Sequence, residues 1–545
     1  MQGMLQTGDW LDCCAVLNQR AAAAPSAWSP LRRRTFGRLW FASLASYLAV
    51  WMQSVAGAWL MTSLTSSAFV VALMQTAISL PMFLLSLPAG VLADLLDRRR
   101  LILSTQTLML TASCVLAVLA LPGEIGPVGL LALTFLLGSG MALNGPAWQS
   151  SMCEAVDHTE LAQALTLIGI AYNIARALGP ALAGGIQTVG GPGLVFGVNA
   201  AAYAWVVLVA WRWRTAPVRS QLPPERLISA IRVGLNYAAH ATAVRAPLIR
   251  TAAFMLPASS LWALIPVVGQ ARLGTSAAGF GFLIGSLGLG AILGGLALHW
   301  LRERVALETQ VRTATLAYGL TLALAAVLPD LPSLCAALVL GGAAWSIALT
   351  SLGSALLTSV PMWVRSRTIA LSMLASQGFM AGGAALWGAV ASHAGTELAL
   401  GMASGLMVLL LIWGYRHPVV LGDQSDVTLS PAEVLPPLSG SVPAEAGPVA
   451  VEIRYRIDPI HREAFLRASE PVGRLRRRNG ARVWRLYRDL ADESLYVERF
   501  IVDSWVDYQR HLARSTVADH EYEERVRSFL QPGSEIEVSH YLAER

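Results

Sequence analysis

The sequence predicts an all-α membrane protein of twelve transmembrane helices in two six-helix halves, followed by a soluble α+β domain of ferredoxin-like order. Three observations predict it. The 545-residue chain is 55% hydrophobic and only 14% charged, with a mean hydropathy of +0.53, whereas soluble domains average about 25% charged residues. Apolar runs long enough to cross a bilayer, about 20 residues each, recur twelve times before residue 416. The composition then turns Pro-, Ser-, Glu- and Gly-rich, and becomes soluble in character from residue 449.

Residues 1–31 read as an N-terminal cytoplasmic arm. Asp9 and Asp12 precede its only apolar stretch and no positive n-region exists, so it does not read as a signal peptide. Cys13-Cys14 lack the small-residue context of a lipoprotein signal, and five cysteines make no disulfide framework here. The N-terminal half, 32–212, holds runs near 36–63, 68–93, 100–122, 127–149, 161–187 and 192–212. The C-terminal half, 247–416, holds runs near 247–271, 276–301, 309–329, 332–358, 368–390 and 395–415. The gaps alternate in charge. Those at 65–67, 123–127, 190–192, 329–332 and 393–395 are short and nearly uncharged. Those holding Arg98 to Arg100, Arg212 to Arg245, Arg302 and Arg304, and Arg365 and Arg367 carry the cations. All 40 basic residues are arginines. The positive-inside rule therefore puts the arginine side, and both termini, in the cytoplasm. Arg272 on the outer side and the acidic gap from Glu154 to Glu160 on the inner side are exceptions. The same clustering accounts for the net charge of +6 without a nucleic-acid partner. Richness in Arg, Ala and Gly suits a GC-rich genome, hence a bacterial inner membrane.

Between the halves, residues 213–246 open Pro-rich and continue as an amphipathic helix. Leu227, Ile231, Leu235 and Ala238 share one face, which suits either the cytoplasmic leaflet or an ordinary surface linker. Residues 417–448 read as a flexible linker. In 449–545, Val451-Glu-Ile453-Arg-Tyr455-Arg-Ile457 alternates with period two, as a strand does. Asp458-Pro459 starts a helix that runs to about Arg478. Strands near 482–488 and 494–502, helical stretches at 504–514 and 517–530, and a strand at 535–542 complete a βαββαβ order.

Span two ends in a charged corner, Gly90-Val-Leu-Ala-Asp94-Leu-Leu-Asp97-Arg98-Arg99-Arg100. Gly90 and Asp94, four apart, lie on one helix face. With its many spans, the chain resembles the major facilitator superfamily, whose loop signature is Gly-x-x-x-Asp-Arg-x-Gly-Arg-Arg. Gly90, Asp94, Arg98 and Arg99 fit, whereas Leu95 stands where the first Arg is usual and Asp97 where a Gly is usual. The resemblance implies the major facilitator fold and alternating access. It makes Gly90 and Asp94 a conformational latch, with Arg98 and Arg99 as its supporting charges. Trp51-Met-Gln53-Ser and Val360-Pro-Met-Trp363-Val-Arg365-Ser-Arg367 are similar to the exporter branch that includes the enterobactin exporter. That likeness covers about 32–416 and implies export of an amphipathic small-molecule substrate, siderophore or drug-like, with proton coupling. The tail looks like a dimeric α+β barrel domain, which implies self-association through it.

Arg176 is a cation well inside span five. Arginine at a helix centre costs about 2.5–3.5 kcal/mol on insertion scales, so it must face the bundle interior or an aqueous cavity and find a partner. Asn173 lies one turn before it, and an anionic substrate group, a cavity carboxylate or a structural ion pair are open as further partners. The adjoining Gly179-Pro180-Ala-Leu-Ala-Gly184-Gly185 resembles the antiporter signature Gly-Pro-x-x-Gly-Gly with one residue added. Gly179 and Pro180 form a helix kink or a close-packing point. Gln53, Asn144 and Gln377 are further cavity candidates, with Gln75, Gln106, Gln149 and Asn199 behind them; single amides also serve as interhelical hydrogen-bond partners. Trp51, Trp59 and Trp262 suit aromatic stacking or interfacial anchoring. Arg250, near a span start, reads as snorkelling.

Several classes are excluded. No Asp or Glu lies deep in a span. The glycines Gly281, Gly285, Gly288, Gly290, Gly294 and Gly295 of span eight are a helix-contact stripe and not a phosphate loop, since no Lys-Ser/Thr follows. In the tail, His461, His511, His520 and His540 lack metal-ligand spacing, and Trp484, Tyr487 and Tyr496 read as core. No cofactor, metal or catalytic residue is expected. The expected function is secondary export, in contact with membrane lipid. The alternatives are a transporter–enzyme fusion whose tail modifies the cargo, and a lipid transporter of the same fold.

Overall fold

The protein is described by a computed structural model at residues 28–157, 160–213, 242–416, 418–419, 428, 442–443 and 445–544. Most of the N-terminal arm with Cys13-Cys14, the expected amphipathic helix and most of 417–448 lie outside the described residues.

Among the described residues ten helices are long and apolar enough to cross a membrane. In order they are Arg34–Leu64, Ala68–Leu95, Arg98–Ala120, Pro127–Glu154, Leu161–Arg212, Thr242–Val267, Ala277–Arg304, Leu331–Thr358, Met362–Ala394 and Thr396–Gly414. Leu161–Arg212 supplies two spans. Its 52 residues would reach about 78 Å if straight, more than twice the hydrocarbon thickness of about 30 Å. It breaks at Gly190 and at Gly191, whose φ of 70° favours glycine. Its first arm packs on spans one and eight and its second on span three, where Ser113 donates to the Phe196 carbonyl at 3.0 Å. Leu307–Val327, with Glu308 and Arg312 in its first turns, is less apolar and forms span nine. The described residues thus make twelve passes. Asp97, Ser276 and Asp330 cap spans three, eight and ten by accepting from backbone N–H groups.

Both exceptions to the arginine sidedness acquire a reason. Arg272 caps span nine, donating to the carbonyls of Ala325, Ala326 and Leu328 at 2.7–2.8 Å. The acidic gap is the counter-charge of its neighbours: Arg33 pairs with Asp157 and Glu160, and Arg98 with Glu154.

The inner end is defined here as the one where span one begins and span twelve ends. The halves meet along two seams toward the opposite, outer end. At the first, a Cβ on Gly281 would stand 2.8 Å from the Pro180 carbonyl, one on Gly184 2.9 Å from that of Ala277, and one on Gly288 3.1 Å from that of Arg176. Spans five and eight therefore touch backbone to backbone. At the second, Thr76 of span two donates to the Ala381 carbonyl of span eleven at 3.0 Å, and Gly388 lies on Ala72 and Phe69. One apolar core runs through both halves.

The tail forms one antiparallel sheet in the order β2-β3-β1-β4, from β1 Val449–Arg456, β2 Val483–Arg488, β3 Leu495–Val502 and β4 Glu537–Leu542. Helix Arg462–Arg478 connects β1 to β2, and helices Trp505–Ala513 and Val517–Arg527 connect β3 to β4. This is the ferredoxin-like arrangement. Alternate residues of β1, Val449, Val451, Ile453 and Tyr455, enter its core. Tyr496 is buried as expected. Tyr487 is not core: it is 53% exposed, because β2 is an edge strand with few neighbours on that face.

Candidate functional site: an aromatic cavity between the halves

A ladder of aromatic rings crosses from one half to the other. Tyr47 and Trp51, four apart on span one, both meet Tyr172 of span five edge-on, at 5.5 and 6.1 Å between ring centroids. Trp51 meets Trp262 of span seven at 6.1 Å, and Trp262 meets Trp345 of span ten at 5.7 Å. Phe254 and Tyr318 close the far end against Trp345 at 5.7 and 5.8 Å. Edge-on and tilted pairs at these separations are the favoured geometries of aromatic quadrupoles. Toward the outer seam, Trp59 stacks on Phe280 at 5.4 Å. A narrow cleft lies there between Ser54, Gln75, Trp262 and Phe280. Tyr172 is 44% exposed although it touches two rings, and Tyr47 and Trp262 each line a pocket, so the ladder borders open space.

Arg176 stands one turn beyond Tyr172 on the same helix face. It donates from Nη2 to the Asn173 side-chain oxygen at 3.1 Å, and Asn173 donates to the Gly169 carbonyl at 2.9 Å. The Arg176 Nε is shielded from solvent and has no hydrogen-bond partner among the described residues, and the Trp262 indole N–H is in the same condition. The sequence-predicted pair Arg176 and Asn173 is thus brought together at the ladder's edge. Gly179 lies against Trp51, where a Cβ would come within 2.7 Å of the Trp51 Cβ. The backbone stays helical through Gly179 and Pro180; the departure from helical geometry is at Gly190 and Gly191.

The other expected residues divide. Gln53 is 5% exposed and accepts from the Asn199 amide at 3.4 Å, an interhelical bond between spans one and six. Asn144 accepts from Thr105 at 3.1 Å and borders a second pocket with Tyr47, Ser46 and Trp148. Gln377 is half-buried on span eleven. In the charged corner, the side chain of Asp94 lies outside the described residues, and a Cβ on Gly90 would meet nothing within 4 Å. Arg99 donates to the terminal carbonyls of span six at Ala210 and Trp211. Arg98 and Arg99 here tie spans of the N-terminal half to one another. Arg250 does not snorkel. It is 5% exposed and paired with Glu308 at 3.4 Å, and Glu308 also accepts from Arg312 at 2.6 Å and from the Val419 N–H at 2.8 Å. The carboxylate on span nine makes burial cheaper than reaching for the interface.

Sequence reasoning named Trp51 and Trp262 but missed Tyr47, Tyr172, Phe254, Tyr318 and Trp345. The available signal was the four-residue spacing of Tyr47 to Trp51 and of Tyr172 to Arg176. Among the described residues no cluster of three or more His, Cys, Asp or Glu is placed to hold a metal.

The tail has its own polar centre. Glu498 accepts from Tyr455 Oη at 2.6 Å, and from Arg476 Nε and the Trp484 indole at 3.0 Å each. Arg476 also pairs with Glu523 at 2.7 Å, and these two carboxylates hold its guanidinium well above the usual arginine range. Burial, helped by Arg476 and Arg514, pushes His511 down to about 3.

The sequence pattern of the transmembrane secretion effector family matches residues 25–545, spans and tail together. The multidrug efflux pump Tap of Mycolicibacterium fortuitum is 26% identical over 390 residues, 68% of this chain and 92% of that protein. The staphyloferrin A transporter of Staphylococcus aureus is 26% identical over 168 residues, 31% of this chain and 42% of that one. Among solved structures, a POT peptide transporter superposes with a TM-score of 0.59 at 14% identity, covering 71% of this chain and 95% of its own. The nucleoside transporter NupG gives 0.58 at 14%, covering 70% and 99%. Twelve passes in two halves, closed on each other around an aromatic cavity, and a match that spans nearly the whole sequence lead to one statement: this chain is a multi-pass membrane transporter of the major facilitator type, and it belongs to the transmembrane secretion effector family.

Proposed function

We propose that the protein is a secondary exporter of amphipathic small molecules, siderophore or drug-like, working by alternating access in a bacterial inner membrane with both termini in the cytoplasm. The observation that carries this reading is the aromatic cavity at the junction of the halves, where substrate sites of such folds lie. The seams toward the outer end, with Tyr172 exposed beside the ladder, support a cavity loaded from the inner side. The arginine and counter-charge pairs of the inner end support its cytoplasmic placement.

Proton entry drives the cycle in this reading. No carboxylate lies deep in the spans, so the coupling groups are at the inner edge, with Asp94 and Glu154 the candidates. Asp94 serves as the latch, with Gly90, Arg98 and Arg99 around it. The tail self-associates through the sheet face opposite its helices, where Tyr487 and Tyr541 are about half exposed. Counterflow in proteoliposomes tests the reading, against a panel of siderophores and drugs with and without an imposed pH gradient. Saturable exchange that accelerates with the gradient is expected. Absence of exchange for every compound overturns export. In the same assay Asp94→Asn is expected to cut exchange with unchanged membrane expression, and wild-type exchange removes the latch role.

A further inference from the structure

Two hydrogen-bond donors at the junction of the halves have no acceptor among the described residues: Nε of Arg176 and the indole N–H of Trp262. Trp262 meets Trp51 at 6.1 Å, and Arg176 lies on span five between Tyr172 and Gly179, both of which lie against Trp51. The acidic residues of the spans sit at their ends and none lies deep beside Arg176 in the sequence of span five, and the amide oxygen of Asn173 is already used by Nη2 of Arg176. Buried donors are costly when left unpaired. A lone guanidinium presents a planar fork suited to a carboxylate or phenolate. Beside it stand Tyr172, Trp51, Trp262 and Trp345, whose faces take a flat ring.

We infer that the site selects anionic aromatic compounds: Arg176 takes the carboxylate or phenolate oxygen, Trp262 donates to a second oxygen, and the ring lies against the ladder. An aromatic cation meets like charge at Arg176 and offers no acceptor to either donor. The inference rests on the exporter reading and specifies its cargo.

The test is equilibrium binding to the detergent-solubilised full chain by titration calorimetry, with three probes of similar size. These are 2-naphthoate, which has ring and charge; 2-naphthylmethylammonium, the ring with opposite charge; and cyclohexanecarboxylate, the charge without an aromatic ring. Naphthoate is expected to bind at least tenfold more tightly than either of the others. Arg176→Gln is expected to weaken it at least tenfold, and Trp262→Phe, which keeps the ring and removes the donor, severalfold. Equal or tighter binding of the ammonium probe overturns the inference. So does unchanged naphthoate affinity in Arg176→Gln, and parity of cyclohexanecarboxylate removes the aromatic half of it. The probe comparison on the unaltered protein stands even if a variant misfolds. Failure here is separable from failure of export: exchange of other compounds without naphthoate selectivity sinks only this inference, whereas naphthoate binding without exchange of any compound sinks only export.

Discussion

Arg176 and Arg476 are both withdrawn from water, and their surroundings are built in opposite ways. In the tail, Arg476 meets Glu498 and Glu523, and Glu498 is further held by Tyr455 and Trp484. Every partner comes from the protein. In the membrane body, Arg176 has one amide oxygen and a donor left over. A cation whose partners are all internal is a fixture of the fold, while a cation with an idle donor in an apolar cavity has a place for a partner that arrives and leaves. The same residue type, equally expensive to withdraw from water, marks architecture in the tail and, in the function proposed above, recognition in the membrane body.

The contrast is broken most directly by removing each arginine in turn. Arg476→Leu strands two carboxylates, and breaking a buried pair from one side costs about 3–5 kcal/mol. Hydrogen exchange of β3 in the full chain should accelerate by orders of magnitude. Arg176→Leu removes a charge that has no carboxylate, so exchange in spans one and five should stay at or below the wild-type rate. Equal damage in both regions would erase the distinction.

Next in size is the pH response of the tail. His511 is 2% exposed and held near 3, against an ordinary value of 6.5. Below pH 6.5 the unfolded tail takes up a proton that the folded one refuses. Stability is therefore full above 6.5 and falls on acidification toward 3, by about 1.4 kcal/mol per pH unit from this group. His511→Phe, which keeps a ring beside Phe500 (5.1 Å from His511 in the native tail), should flatten that part of the slope. A β3 exchange profile against pH that is identical in the variant contradicts the assignment.

The smallest effect is expected at the inner corner. The Arg98–Glu154 pair leaves both side chains about a third exposed, and such pairs contribute about 0–1 kcal/mol. Glu154→Gln should shift the melting of the solubilised protein by under ~2 °C. A larger shift would place this pair with Arg476 among the internally completed ones.

The spans were legible because twenty apolar residues in a row have one interpretation, and Gly190-Gly-Pro192 interrupts what would otherwise be a single helix. The tail was legible from the alternation of β1 and the cap at Asp458. The aromatic ladder was not, since its seven rings lie on spans one, five, seven, nine and ten, and no local pattern brings Trp51 to Trp262. Arg176 was conspicuous because of its cost; its idle Nε was not, because a missing partner is a property of three dimensions. The expectation for Arg250 failed for a related reason: Glu308 is 58 residues away in the chain and 3.4 Å away in space. Asp97 departs from the family signature, and its place has a local cause, as the cap of span three.

The seam between spans five and eight has a further consequence. Gly184, Gly281 and Gly288 put bare main chain against bare main chain, so at these three points no side chain has to be withdrawn before the surfaces part. Such a junction behaves as a bearing and not as a bolt. Moving a two-state balance from 1:99 to 99:1 takes about 5.5 kcal/mol of differential binding, within the reach of one small ligand. In the alternating-access cycle proposed above, a junction of this kind lets the cargo itself act as the key.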